Sequence, residues 1–232
     1  MTSLLLACRL AAALSPLSAE PFEAELEGLR AGLLSQVQAS DAVRRLGDGL
    51  TPAEVRRKVD QALAGSLPAE YVQAAFDDPR TGPIPGIEER FRKPPEQGGS
   101  YETYRRYFMT EERIAAGARF LSDHRELLEA VQRRYGVDPG LATALVGVET
   151  FYGRKAGTFG VFNALYTITM KVTSRSDWAA KELAAYLKLT RREGWGIHSV
   201  VGSYAGAFGF GQFIPSSFDA YAVDFDGDGR RR

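Results

Sequence analysis

The sequence predicts a mainly helical protein, and three observations support that class. Thr51-Pro52-Ala53-Glu54 and Asp138-Pro139 are strong helix starts, because each has a capping side chain followed by proline at the first helical position. Apolar residues recur at helical spacing after both starts. No long stretch alternates between apolar and polar residues, although residues 161–172 are rich enough in β-branched and aromatic side chains to predict a short extended piece.

Helices are predicted in both halves of the chain. Residues 20–78 are expected to form a small helical N-terminal region, with one amphipathic helix at 21–38 and another that starts at Thr51. Residues 79–100 contain five prolines and four glycines, so we interpret them as a linker or an extended arm. Residues 101–232 are expected to form a second helical domain, whose predicted helices begin near Thr110, Ser122, Asp138 and Asp177.

The charge balance narrows the possible classes of function. The 232 residues include 29 Lys and Arg against 29 Asp and Glu, and a net charge of zero argues against a nucleic-acid partner. The single cysteine, Cys8, excludes an intramolecular disulfide, and two histidines are too few for a His-rich metal site.

Residues 1–19 are a weak candidate for an export signal, because they contain apolar runs but no positively charged start. The string Leu5-Leu6-Ala7-Cys8 has the form of a bacterial lipoprotein processing site, in which Cys8 would carry a lipid anchor. The alternative is that Cys8 is a small buried hydrophobic residue. No stretch predicts a transmembrane helix, since the longest uncharged one, 194–218, is broken by six glycines and a proline.

Glu149 is the candidate catalytic residue. It is the only Asp, Glu, Lys or Arg between residues 139 and 153, and it follows the apolar stripe formed by Leu141, Ala144, Leu145 and Val148. Apolar neighbours should desolvate its carboxylate and favour the protonated form that a general acid needs. The alternative is an exposed structural glutamate that pairs with Arg154 or Lys155.

A glycine-rich loop, GSYAGAFGFGQFIPSS, occupies residues 202–217. Its glycines permit close approach of a ligand, its aromatic rings offer faces for sugars, and its Ser and Gln side chains offer neutral hydrogen bonds. This composition is typical of a carbohydrate-binding cleft, but it also fits a loop whose rings pack in the core. A phosphate-binding loop is not predicted, because neither glycine motif for phosphates is present.

Five strings in order make the similarity to a known family specific: YGV (135–137), GVETFYG (147–153), NAL (163–165), GSYAGAFGFGQFIPSSF (202–218) and AVDFDGDG (222–229). Together they resemble the lytic murein transglycosylase B family over about residues 100–232. The resemblance implies a lysozyme-like catalytic domain that cleaves the MurNAc-GlcNAc bond of peptidoglycan and leaves a 1,6-anhydro-MurNAc end. It implies no cofactor for catalysis, peptidoglycan glycan strands as partner, and a location in the bacterial periplasm or at the outer membrane.

The resemblance also assigns roles to residues of this chain. Glu149 is the implied catalytic acid and base. Ser203 and Gln212 match positions that face the glycan. Four aromatic residues are weaker candidates for lining the cleft: Tyr152, Tyr204, Phe208 and Phe210.

A possible calcium site lies at residues 224–229. Asp224, Asp226 and Asp228 match positions 1, 3 and 5 of an EF-hand loop, Gly229 matches its turn, and the Arg230 backbone carbonyl matches position 7. Position 12 falls beyond residue 232, so the sequence predicts an incomplete structural Ca²⁺ site, or a solvated Asp-Gly turn without an ion. The resemblance to the transglycosylase family also implies that the lysozyme-like domain is truncated at its C-terminus.

Two other functions fit the same residues. A hydrolytic muramidase would use the same fold and Glu149, and a catalytically impaired fragment would bind peptidoglycan without cleaving it. The sequence makes no prediction about oligomeric state.

Overall fold

The computed structural model describes residues 49–92 and 100–231, with the Tyr104 side chain left out. Ten helices and two short strands lie in these ranges: α1 (Pro52–Leu63), α2 (Ala69–Asp77), α3 (Ile87–Arg92), α4 (Tyr101–Phe108), α5 (Glu111–Asp123), α6 (Arg125–Tyr135), α7 (Pro139–Thr150), β1 (Phe159–Gly160), α8 (Val161–Lys171), α9 (Ser176–Glu193), β2 (Val201–Gly202) and α10 (Pro215–Tyr221), with a 3-10 turn at Thr173–Arg175. The predicted mainly helical class is confirmed. The segments 1–19 and 21–38, with Cys8, lie outside the described residues.

The core is built around α8 and α9, which pack against each other along their lengths. Nine of the eleven residues of α8 are buried, and the largest fully buried side chains include Phe162, Leu165, Leu183 and Tyr186. Burial of apolar surface on both helices is the main favourable contribution to folding.

The extended piece predicted at residues 161–172 is wrong, because those residues form the buried helix α8. A helix that is apolar on all sides lacks the one-sided periodicity that identifies surface helices. The threonine hydroxyls are satisfied inside the helix, since Thr167 Oγ1 donates to Asn163 O at 2.6 Å and Thr169 Oγ1 donates to Leu165 O at 2.8 Å.

The helix predicted to start at Thr51 is confirmed as α1, with a complete capping box between Thr51 and Glu54. Its fully buried Val55 and Val59 pack into the same core as α9. The segment after α2 also belongs to this core, because the Ile84 amide donates to Thr167 Oγ1 at 2.8 Å and Ile87 is fully buried. Within the described residues, 52–92 therefore share one core with α8, α9 and α10.

Helices α5, α6 and α7 form a second group, in which α7 contacts both of the others. The buried side of α7 consists of Thr143, Gly147 and Thr150. Its apolar stripe faces outward in the described structure, since Leu141 is 65% exposed and Leu145 is 58% exposed. In the part of the chain that the structure describes, no helix is both long and apolar enough to span a membrane.

Candidate active site

Glu149 lies in the last turn of α7, a helix that begins at its predicted cap. The Asp138 carboxylate accepts a hydrogen bond from the Leu141 amide at 3.0 Å, and Pro139 occupies the first turn. The Glu149 side chain is exposed and makes no hydrogen bond or ion pair with another described residue. The sequence-based expectation that apolar neighbours desolvate this carboxylate is therefore wrong for the described residues, since Leu145 and Val148 are themselves exposed.

The alternative pairing of Glu149 is not observed either. Arg154 Nη1 lies 3.6 Å from Glu112 Oε1, and Lys155 Nζ lies over the Phe151 ring at 5.6 Å from its centroid. The carboxylate of Glu149 is thus open to a ligand.

The chain leaves α7 through a left-handed turn. Three consecutive residues have positive φ: Phe151 at 50°, Tyr152 at 57° and Gly153 at 85°. For the two residues that carry a Cβ, this conformation costs about 1–2 kcal/mol each. Thr150 stabilises the turn, because its Oγ1 accepts from the Gly153 amide at 3.0 Å and its carbonyl accepts from the Lys155 amide at 2.8 Å.

The glycine-rich loop folds into two linked turns after β2. Phe208 and Phe213 exchange two backbone hydrogen bonds, of 2.9 and 3.0 Å, which close the second turn. In the first turn, Ser203 Oγ accepts from the Ala205 amide at 3.3 Å and from the Ala207 amide at 3.1 Å. No described residue accepts a hydrogen bond from the Ser203 hydroxyl, so its proton is available for a ligand.

The second turn of this loop meets the turn that follows Glu149. The ring of Phe210 lies directly over Gly153, where a Cβ would overlap it, and the ring is 58% exposed. Gln212 Nε2 donates to Ala156 O at 3.3 Å and to Gly209 O at 3.0 Å, while its Oε1 has no partner among the described residues. Gln212 itself has a φ of 48°, so the predicted glycan-facing residue sits on strained backbone.

The other three predicted cleft aromatics are more buried than Phe210. Phe208 is 5% exposed and packs in the core against Trp195 and Phe218, with ring centroids 6.1 and 5.3 Å away. Tyr204 is half-buried against the edge of Phe91 at 5.4 Å. Tyr152 lies between α5 and α7, where a Cβ on Gly117 or on Gly147 would overlap its hydroxyl group.

Glu182 is a buried carboxylate that the sequence reasoning did not single out. It is 5% exposed on α9, and it accepts hydrogen bonds from the Ser216 amide at 2.9 Å and from Ser216 Oγ at 2.8 Å. These bonds fix the start of α10, which contains the last three residues of the glycine-rich loop. The available signal was a charged residue between Ala179, Ala180 and Leu183, on the apolar face of a helix.

The three aspartates of the predicted ion loop come together. One carboxylate oxygen from each of Asp224, Asp226 and Asp228 lies within 4.8 Å of the others. Asp224 also accepts from the amides of Gly227 and Gly229, each at 2.8 Å. This loop is tied to α6, since Arg134 Nη1 donates to Phe225 O at 3.4 Å.

The exposed glutamate at the end of α7, near a loop with an exposed aromatic ring, is compatible with a glycan-binding site on a helical domain. Residues 52–232 match the Transglycosylase SLT domain family, and the chain belongs to that family. Its described helices have the lysozyme-like fold of these enzymes.

Named relatives agree with this assignment. The membrane-bound lytic murein transglycosylase B of Escherichia coli strain K12 is 37% identical over 138 residues, which are 59% of this chain and 38% of that protein. The crystal structure of the soluble lytic transglycosylase SltB1 from Pseudomonas aeruginosa has a TM-score of 0.71 and 36% identity, covering 76% of this chain and 59% of SltB1. The E. coli lytic transglycosylase Slt35 in complex with calcium has a TM-score of 0.68 and 27% identity, covering 80% and 58% of the two chains. The chain thus spans well under two thirds of the length of these relatives.

Proposed function

We propose that this chain is a lytic transglycosylase that cleaves the MurNAc-GlcNAc bond of peptidoglycan, with Glu149 as its catalytic acid and base. The observation that carries the proposal is the contact between two elements: the turn directly after Glu149, and the loop that presents Phe210 and Gln212. Membership of the transglycosylase family and the similarity to a murein transglycosylase support the choice of substrate.

One carboxylate is enough for this chemistry. Protonated Glu149 donates its proton to the glycosidic oxygen as the bond from that oxygen to C1 of MurNAc breaks, and the 2-acetamido group of the substrate stabilises the positive charge at C1. The C6 hydroxyl oxygen then bonds to C1, and its proton returns to the Glu149 carboxylate. The product is a 1,6-anhydro ring, no water is consumed, and the reaction needs no cofactor.

The loop supplies groups of the kind that bind sugars. The Ser203 hydroxyl has a proton to donate, Gln212 Oε1 is able to accept from a sugar hydroxyl, and the exposed face of Phe210 suits the apolar face of a pyranose ring. We assign these three residues to glycan binding.

Replacement of the carboxylate tests the proposal. Glu149→Gln keeps the size and exposure of the side chain but removes its proton exchange, so we expect the release of soluble fragments from peptidoglycan sacculi to fall by at least about a hundredfold. Glu129→Gln on α6 is the matched control, because Glu129 is exposed and only forms a loose pair with Arg133 at 3.9 Å. Normal turnover by Glu149→Gln would overturn the assignment.

A hydrolytic muramidase is the second candidate, and the exposure of Glu149 favours it because water has access to the carboxylate. Reduction of digested sacculi with borohydride distinguishes the two, since anhydro ends resist reduction and the ends left by hydrolysis do not. Binding of the wild-type chain to sacculi without any release of fragments would instead identify a catalytically impaired binding protein.

We also propose that Asp224, Asp226 and Asp228 hold a structural Ca²⁺, with the Arg230 carbonyl as a further ligand. Three clustered carboxylates fit a hard cation that prefers oxygen, and the Slt35 structure contains calcium. The ion would fix the loop against α6 and has no part in the chemistry. For a Kd of about 1 mM, 10 mM Ca²⁺ should stabilise the fold by about 1.4 kcal/mol and raise Tm by about 3–5 °C. Asp226→Asn should abolish this shift, and a shift of equal size in Asp226→Asn would refute the site.

We further propose that the protein acts on glycan strands at the bacterial cell wall, in the periplasm or at the outer membrane, because its proposed substrate is found there. Attachment through a lipid on Cys8 is a separate proposal, carried by the string that precedes that residue. Fractionation of cells that produce the wild type or Cys8→Ser tests it, because only loss of membrane association in the variant supports the anchor.

A further inference from the structure

The left-handed turn after Glu149 needs contacts that hold it. Phe151 and Tyr152 are not glycines, yet both adopt positive φ, and their side chains point into contacts with α5 and α7. Strained backbone of this kind persists only where contacts with the surrounding structure hold it in place, and it is common at functional sites.

Arg113 of α5 makes the first of these contacts. Its Nη1 donates to the Gly147 carbonyl at 2.6 Å, and its guanidinium lies 4.8 Å from the centroid of the buried Phe151 ring. The same carbonyl accepts from the Phe151 amide at 3.1 Å. Arg113 therefore contacts the chain two residues before and two residues after Glu149. Its positive charge is also favourable beside the C-terminal end of a helix, which carries partial negative charge.

Tyr152 makes the second contact by filling a notch formed by two glycines. A Cβ on Gly147 would lie 2.6 Å from Tyr152 Cζ, and a Cβ on Gly117 of α5 would overlap the tyrosine hydroxyl. Both glycines are buried within helices, where glycine is otherwise unfavourable, so the close approach of the ring accounts for them. The ring also contacts Phe120 at a centroid distance of 5.5 Å.

We propose that Arg113 and Tyr152 are positioning residues, which hold the turn at Phe151, Tyr152 and Gly153 and thereby fix the direction in which Glu149 points. The family resemblance makes Tyr152 a candidate for lining the cleft, and its place between two helices supports this positioning role. The proposal rests on the proposed function of Glu149, because positioning has a consequence only if that carboxylate reacts.

Gly147→Ala is the sharpest variant. Alanine is a better helix former than glycine, so loosening of the turn in this variant cannot come from weaker helix propensity. The new methyl group must displace the Tyr152 ring. Gly82→Ala is the matched control, because a Cβ on Gly82 meets nothing within 4 Å.

Arg113→Gln removes the contact made by Arg113 and has its own control on the same helix. Arg119 is exposed and has no partner among the described residues, so Arg119→Gln removes an equal charge without touching the turn. Arg113→Lys is the conservative variant. It keeps the charge near Phe151 and can still donate to Gly147, so it should recover part of the lost activity.

Two measurements are made on each variant. Amide hydrogen exchange at Phe151, Tyr152 and Lys155 should become at least about tenfold faster in Gly147→Ala and Arg113→Gln, with exchange in α9 unchanged. On sacculi, kcat should fall by about ten- to a hundredfold with little change in KM, because a displaced general acid slows the reaction more than binding. The controls should match the wild type in both.

The outcomes separate this proposal from the proposed function. Unchanged amide exchange in both variants would show that Arg113 and Tyr152 do not hold the turn. Faster exchange with unchanged kcat would show that the turn does not position Glu149. A wild-type chain that releases nothing from sacculi would refute the proposed function and, with it, the positioning role, while the exchange data would still decide whether Arg113 and Tyr152 hold the turn.

Discussion

Phe208 and Phe210 lie two residues apart in one loop, and the structure predicts opposite effects for their replacement. Phe208 is 5% exposed between Trp195 and Phe218, so Phe208→Ala leaves a cavity and should lower the free energy of unfolding by about 3–5 kcal/mol. With a urea m-value of about 2 kcal/mol/M, the midpoint should move down by about 1.5–2.5 M. Phe210 is 58% exposed, so Phe210→Ala should change stability by no more than about 0.5 kcal/mol.

Urea unfolding followed by tryptophan fluorescence measures both effects, because Trp195 contacts the Phe208 ring directly. If Phe208→Ala does not fold, Phe208→Leu should still move the midpoint in the same direction by a smaller amount. Activity should show the reverse order, with Phe210→Ala lowering kcat/KM on sacculi by about two- to tenfold through loss of sugar stacking. If Phe210→Ala destabilised the fold as much as Phe208→Ala does, the different burial of the two rings would be contradicted.

Three further predictions concern stability. Burial lowers the pKa of His198, so the unfolded chain binds a proton more readily than the folded one, and stability should fall as pH drops below about 6.5. The urea midpoints at pH 7.0 and pH 5.5 should therefore differ less in His198→Gln than in the wild type. An equal difference in the two proteins would contradict this role of His198. Asp138→Ala removes the hydrogen bond to the Leu141 amide and should cost about 1 kcal/mol in thermal unfolding, whereas no change in Tm would show that the cap is dispensable. Gly157 has a φ of 95°, and an added Cβ would overlap the Gly202 carbonyl. Gly157→Ala should therefore lower the free energy of unfolding, measured in urea, by about 2–4 kcal/mol. A variant as stable as the wild type would mean that this turn rearranges freely.

Local signals in the sequence correctly predicted where two helices begin. Thr51 and Asp138 cap the helices that follow them, because capping depends on residues within one turn. The same local reasoning failed for α8, where β-branched residues lie in a helix buried on all sides and tertiary packing overrides their preference for strands.

The candidate site was predictable in part, since its residues lie in conspicuous strings but their surroundings depend on the fold. An aromatic residue in a glycine-rich loop suits a cleft or a core equally well, and only the packing shows that Phe208 is buried and Phe210 exposed. In the same way, the exposure of Glu149 follows from the outward orientation of α7, which its apolar sequence did not indicate. Tyr152 could be placed only once the two helices that enclose it were known.

In the proposed mechanism, Glu149 is the single protein carboxylate, the C6 hydroxyl of the substrate closes the anhydro ring, and no water is consumed. Digestion of sacculi in oxygen-18 water, followed by mass spectrometry of the released muropeptides, shows whether water enters the product. We expect 1,6-anhydro-MurNAc ends without the heavy oxygen from the wild-type chain, and none from Glu149→Gln. Reducing ends that carry oxygen-18, or anhydro ends released at a normal rate by Glu149→Gln, would contradict it.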